Sequence, residues 1–205
     1  MRFAPEQAAR LRPGVRWLAQ LNVEVAPYRG TILPLSLVVI PWAVWVGGPG
    51  WAWPAFLAVG LAGAALLVID GRTHRLPNAI TLPGIVLVFA LLGAAALGCG
   101  DARPLQGALF GGVGLGAMYG LLHAASPQGL GAGDVKLAVL LGLPAGWLGW
   151  EALWLTALLP FLIGGLAALV LVVTHRATRH TAIAFGPYML LGWALALTLV
   201  KGATP

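Results

Sequence analysis

Residues 31–69 read TILPLSLVVIPWAVWVGGPGWAWPAFLAVGLAGAALLVI, a run of 39 positions without one charged side chain. A helix that crosses a bilayer needs about 20 mostly apolar residues. The run is long enough for two such helices, and Gly47-Gly48-Pro49-Gly50 supplies the break between them. Working outward, the further uncharged stretches are 76–100, 104–133, 137–150, 152–174 and 181–200. Backbone polar groups in hydrocarbon must be satisfied within their own segment, so each stretch is read as helix. The spacing predicts seven helices, at 31–47, 51–70, 79–98, 105–124, 134–149, 151–173 and 182–200. The fifth is short and carries Pro144 and Gly146. The expected fold is therefore all-α, a polytopic transmembrane helix bundle of six or seven spans.

Composition agrees. The chain has 205 residues, of which 60% are apolar and 9% charged. Soluble domains carry about 25% charged residues, so a water-soluble globular protein is excluded, as is a disordered one. The single cysteine, Cys99, can form neither an internal disulfide nor a paired-cysteine metal site. The 29 glycines show no triplet period. The net charge of +6 is read as a sign of membrane orientation and not of nucleic-acid binding.

Alternating the loops from a cytosolic N-terminus puts ten of the twelve basic residues on the inside. They lie in residues 1–30, 71–78, 125–136 and 174–181, leaving Arg103 and Lys201 outside. Cytosolic loops are enriched in Lys and Arg, which favours this orientation. Trp42, Trp45, Trp51, Trp53, Trp147, Trp150 and Trp154 flank two of the inferred outer turns, as indoles at the membrane boundary do. Two units are expected: a basic cytosolic surface segment at 1–30, resting on anionic lipid, and a membrane domain at 31–205. Residues 1–30 lack the apolar run of a cleavable signal peptide.

Acidic residues are few enough to take singly. Glu6, Glu24, Asp101 and Glu151 fall in surface segments or turns and read as solvated. Asp70 and Asp134 do not. Asp70 closes Leu66-Leu67-Val68-Ile69-Asp70, where a carboxylate opposes the helix macrodipole. It can be a boundary residue paired with Arg72 or Arg75. Asp134 follows Gly129-Leu130-Gly131-Ala132-Gly133 and can be a helix N-cap. Gly131 and Gly133, lacking Cβ, allow positive φ or close approach of other groups. The charge alternation puts both acids at cytosolic helix ends, at similar depth. Ionisable groups at such depth are functional candidates by default. Two adjacent carboxylates share one proton. One can then act as base on a water while the other donates to a carbonyl oxygen. That chemistry hydrolyses a peptide bond without metal, cofactor or side-chain nucleophile. His74, His123, His175 and His180 all fall on the inferred cytosolic side, but their spacing does not suggest a metal site.

Three ordered segments resemble the type IV prepilin peptidases. They are Ile69-Asp70 with Leu76-Pro77-Asn78-Ala79-Ile80-Thr81-Leu82-Pro83, then Gly131-Ala132-Gly133-Asp134-Val135-Lys136-Leu137, then Phe185-Gly186-Pro187-Tyr188. The resemblance implies an intramembrane aspartic endopeptidase in a prokaryotic cytoplasmic membrane. Such enzymes remove the short basic leader from prepilins or pilin-like secretion subunits at the cytosolic face. It implies Asp70 and Asp134 as the catalytic pair, with Gly131, Gly133, Lys136, Pro77, Asn78, Gly186 and Pro187 in support, and no cofactor or metal. Gly186-Pro187 is expected either to break or kink the last helix near its inner end or to form a simple helix-entry turn. Many relatives have Asp where Asn78 stands and Pro where Ala184 stands. The chain has none of the paired Cys-x-x-Cys motifs of the bifunctional members, so it resembles the short, peptidase-only members, such as those of tight-adherence pilus systems.

Three other readings use the same features. A presenilin-like protease shares the Gly-x-Gly-Asp element, but Ile69 stands where that family has tyrosine. A proton- or cation-coupled carrier uses intramembrane acids, but no internal repeat is visible. A catalytically silent pilus assembly factor need not keep both acids.

Overall fold

A computed structural model describes residues 13–127, 129–174 and 184–203. Glu6, His175, Arg176, Arg179 and His180 lie outside the described residues, as does the expected helix start at residue 182. The described residues form eight α-helices and no strand: α1 (Pro13–Val25), α2 (Arg29–Gly47), α3 (Trp53–Thr73), α4 (Asn78–Cys99), α5 (Arg103–Ala125), α6 (Ala132–Leu148), α7 (Trp150–Val173) and α8 (Gly186–Ala203). One 3₁₀ turn, Ala26–Tyr28, joins α1 to α2. The seven expected helices are all present, with ends shifted by a few residues. The amphipathic α1 lies within the segment expected only to rest on lipid.

The molecule is an all-α polytopic membrane bundle. Five helical segments are long and apolar enough to cross a membrane: Trp17–Gly47, Trp53–Thr73, Asn78–Cys99, Arg103–Ala125 and Trp150–Val173. Their outer faces expose Leu33, Leu37, Val86, Phe110, Leu162 and Leu166. In water such a surface would aggregate; in a bilayer it meets acyl chains. Pro34, Pro41, Pro83 and Pro160 lie inside these helices, where neighbouring helices re-satisfy the freed carbonyls.

α6 has 17 residues, ten of them buried. It is about 25 Å long at 1.5 Å per residue, shorter than the hydrocarbon layer. It is nonetheless the central strut, packed on α4, α5, α7 and α8. Its seam with α5 is made of glycine. A Cβ built at Gly111, Gly142 or Gly146 would run into the facing backbone. Small residues allow such approach where no hydrophobic drive separates helix from lipid. A single residue turns α6 into α7. Gly149 does so at φ 120, a conformation closed to L side chains.

The turns sort to two ends. Trp51 lies against the position of a Cβ on Gly98, and the Lys201 ammonium lies near Gly48, so the turns after α2 and α4 and the end of α8 lie together. Exposed Trp45, Trp51 and Trp53 flank the first of these turns. Asp70, Leu76, Gly133 and Gly186 meet at the other end.

Candidate active site

α3 does not stop at Asp70. It runs on to Thr73, whose Oγ1 donates to the Ile69 carbonyl at 2.8 Å, and His74 closes it in the left-handed region at φ 52. Asp70 is therefore an intrahelical residue of the last turn and faces inward, 4% exposed. Arg72 does not pair with it. The Arg72 guanidinium lies over the Tyr28 ring at 5.4 Å.

Opposite Asp70 stands the first residue of α8. The Gly186 amide faces the carboxylate, and a Cβ at Gly186 would stand 2.5 Å from Asp70 Oδ2. Gly186-Pro187 does not kink a longer helix. It opens one, with Ala184 and Phe185 lying before the first turn. Proline in the first turn loses no intrahelical bond, which is why the pair suits a helix start. The positive end of the α8 dipole thus offsets the negative end of α3 at Asp70. Asp70 Oδ2 itself has no hydrogen-bond partner among the described residues.

Asp134 is not an N-cap. Gly131 takes that place, in extended backbone at φ −73 and ψ 151, and Asp134 is the third helical residue of α6. The Gly131 N–H donates to Asp134 Oδ2 at 2.9 Å, and the Asp134 N–H donates to the Gly131 carbonyl at 3.0 Å. Neither Gly131 nor Gly133 has positive φ. Gly133 serves through closeness, since its missing Cβ would touch Leu76 Cβ at 3.0 Å.

Asp70 and Asp134 line one cavity of about 350 Å³ with His74, Arg75, Leu76, Asn78, Gly131, Gly133 and Lys136. Asp134 lies within range of the Asp70 charge. The Lys136 ammonium donates to Asn78 Oδ1 at 2.7 Å, tying α6 to the start of α4. Pro77 is set apart. It caps α4, where its carbonyl accepts from Thr81, and lines a neighbouring cavity instead.

Two further residues border the site without a sequence signal. Tyr119 on α5 is buried, stacked on Phe161 at 5.5 Å and packed on Phe185 at 6.3 Å. Its unpartnered hydroxyl lies in range of Asp134. His123 also reaches the Asp134 field, and its Nδ1–H donates to the Leu130 carbonyl at 2.6 Å. Both lie in the expected helix 105–124, and nothing in the sequence ties Tyr119 or His123 to Asp134.

The type IV leader peptidase family model matches residues 55–169, more than half of the chain and both aspartates. The chain belongs to the type IV leader peptidase family. Among curated relatives, the prepilin leader peptidase/N-methyltransferase of Aeromonas hydrophila is 35% identical over 153 residues, covering 73% of this chain and 51% of the relative. The like-named protein of Pseudomonas putida is 37% identical over 139 residues, 65% of this chain and 46% of the relative. That of Escherichia coli K12 is 38% identical over 132 residues, 62% of this chain and 55% of the relative. The chain thus spans about half the length of the curated relatives it matches. No solved structure matches it. The family match ends before Gly186, so the contact of Gly186 with Asp70 is a finding of the fold.

Proposed function

We propose that this family member is an intramembrane aspartic endopeptidase of the cytoplasmic membrane. It removes the basic leader from type IV prepilins or pilin-like secretion subunits at the cytosolic face. Asp70 and Asp134 act on a water, and the protein transfers no methyl group. One observation supports this most: two acids 64 positions apart, each turned inward from its own helix, border a single polar cavity at one end of the bundle. Arg72, Arg75 and Lys136 at that end support a cytosolic placement.

The chemistry follows from two carboxyls sharing one proton. The ionised partner takes a proton from water as its oxygen attacks the scissile carbonyl carbon. The protonated partner donates to the carbonyl oxygen, giving a gem-diol. The first partner's new proton then passes to the leaving nitrogen, the C–N bond breaks, and the gem-diol returns a proton as it becomes a carboxylic acid. The dyad ends with its single shared proton. Lys136 and Asn78, bonded to each other, hold α6 and α4 in register beside the reacting bond. Gly133 and Gly186 bring Leu76 and the α8 amides close.

The test is leader removal. The full chain is co-expressed with candidate pilin-like precursors and the leader's loss is followed on a gel. Cleavage by the wild type, lost in both Asp→Asn variants that still insert, supports the reading. Normal cleavage by either variant overturns the dyad.

A further inference from the structure

A second cavity, of about 550 Å³, lies beside the first. Glu24 and Tyr28, from the end of α1 and the 3₁₀ turn, form one wall. Thr73, Arg75, Leu76 and Pro77 form the other. Arg75 and Leu76 also line the Asp70–Asp134 cavity, so the two spaces share part of their lining. The surface helix is fastened over this place: the Trp17 indole N–H donates to the Ala79 carbonyl at 2.8 Å, and Arg72 covers the Tyr28 ring.

Glu24 is the one carboxylate in this second cavity. The residue is part-exposed, but its Oε2 is shielded and has no hydrogen-bond partner among the described residues. Arg75 shares the cavity without bonding that oxygen. A shielded carboxylate without a partner is costly; protonation relieves the cost, and so does an incoming cation or strong donor, which keeps the charge.

We infer that this second cavity is a binding subsite for a Lys or Arg side chain of the substrate's leader, with Glu24 as its counter-ion. The inference rests on the function proposed above. A chain whose scissile bond lies between Asp70 and Asp134 passes over Leu76 into the second cavity. Its polar leader stays at the end of the bundle where the basic loops gather. Glu24 thereby supplies negative charge beside Arg72 and Arg75, apart from the two aspartates.

The experiment uses the full chain in phosphatidylcholine nanodiscs and one purified precursor that the wild type cuts. Glu24→Gln is expected to raise KM about 10–100-fold, as loss of one partner from a shielded charge pair does. Its kcat is expected to stay within about twofold, since Glu24 acts on the ground state and the transition state alike. Glu24→Lys is expected to cut worse still. It should recover with a precursor whose leader Lys and Arg are changed to Glu. A role in folding alone would not follow the substrate's charge. Unchanged KM in Glu24→Gln, or an equal preference of Glu24→Lys for both precursors, overturns the subsite and leaves the peptidase reading standing. Failure of the wild type on every precursor overturns both.

Discussion

Gly186 and Asp70 touch: a Cβ at position 186 would stand 2.5 Å from Asp70 Oδ2, closer than side-chain carbons come to anything. The last helix of the chain is thus seated on a carboxylate from the third. Gly186→Ala is expected to push the two apart and lower the cleavage rate at least about tenfold, in line with the cost of misplacing a catalytic group by about 1 Å. Gly165→Ala, whose added methyl meets open space, is the control and should cut like the wild type. Equal rates for the two variants would refute a steric role for Gly186.

Asp70→Asn and Asp134→Asn keep size and shape and remove the ionisable group. Each alone is expected to lower kcat by about 10²–10⁴-fold, the usual contribution of a positioned acid or base. The double variant should be barely worse than either single, because two groups acting as one unit are not additive. Quantitative leader-removal rates on membrane-inserted protein check this. A double variant that multiplies the two losses would mean that the acids act independently.

The Lys136–Asn78 bond should show itself in a double-mutant cycle. Lys136→Met and Asn78→Ala are each expected to cost on the order of 1 kcal/mol, and together little more than one alone. Thermal unfolding of the four proteins in one detergent measures the coupling. Full additivity would indicate that the bond contributes nothing.

The glycine seam predicts an asymmetry within one bundle. Gly142→Ala drives a methyl into the α5 backbone, with Gly112 Cα at 2.9 Å. It should destabilise by about 1–3 kcal/mol, the range for overpacking. Gly93→Ala, on the open face of α4, should not destabilise. The midpoint of thermal unfolding separates them, and matching midpoints would contradict the close approach of α5 and α6.

Tyr119→Phe removes a hydroxyl that bonds to nothing among the described residues and keeps the stacking on Phe161. Stability should stay within about 0.5 kcal/mol of wild type or rise. A loss above about 1 kcal/mol would reveal a hydrogen bond to Asp134 that the resting structure does not hold.

The helices were legible because bilayer thickness and charge avoidance write long uncharged runs, and Asp70 and Asp134 stood out because they end or begin such runs. What stayed hidden depends on contact across the bundle. Asp70 reads as a helix end because charge resumes at Arg72, yet hydrogen bonding carries α3 on to Thr73. Gly186-Pro187 leaves a kink and a helix-entry turn both open, and the place of Phe185 before the helix decides for the entry. Gly131 and Gly133 leave unusual φ and close approach both open, and the fold uses close approach, to Asp134 and Leu76. Glu24 reads as solvated, and the sequence carries no sign that its Oε2 is shielded on a helix fastened to the bundle through Trp17. Hydropathy carries no record of such long-range partners.

The two acids ride on separate halves. α3 packs chiefly on α2, and α6 is locked to α5 along the glycine seam, while α3 and α6 scarcely meet. Only α4 and α8 press on both carriers to any extent. The gap between the two carboxyls is therefore set like the opening of a calliper, by two spacer rods. A wedge between α3 and α4, or a shift of α8, would detune the pair from a distance. A ligand with no polar group at all could then silence the chemistry by lodging in the lipid-facing seams.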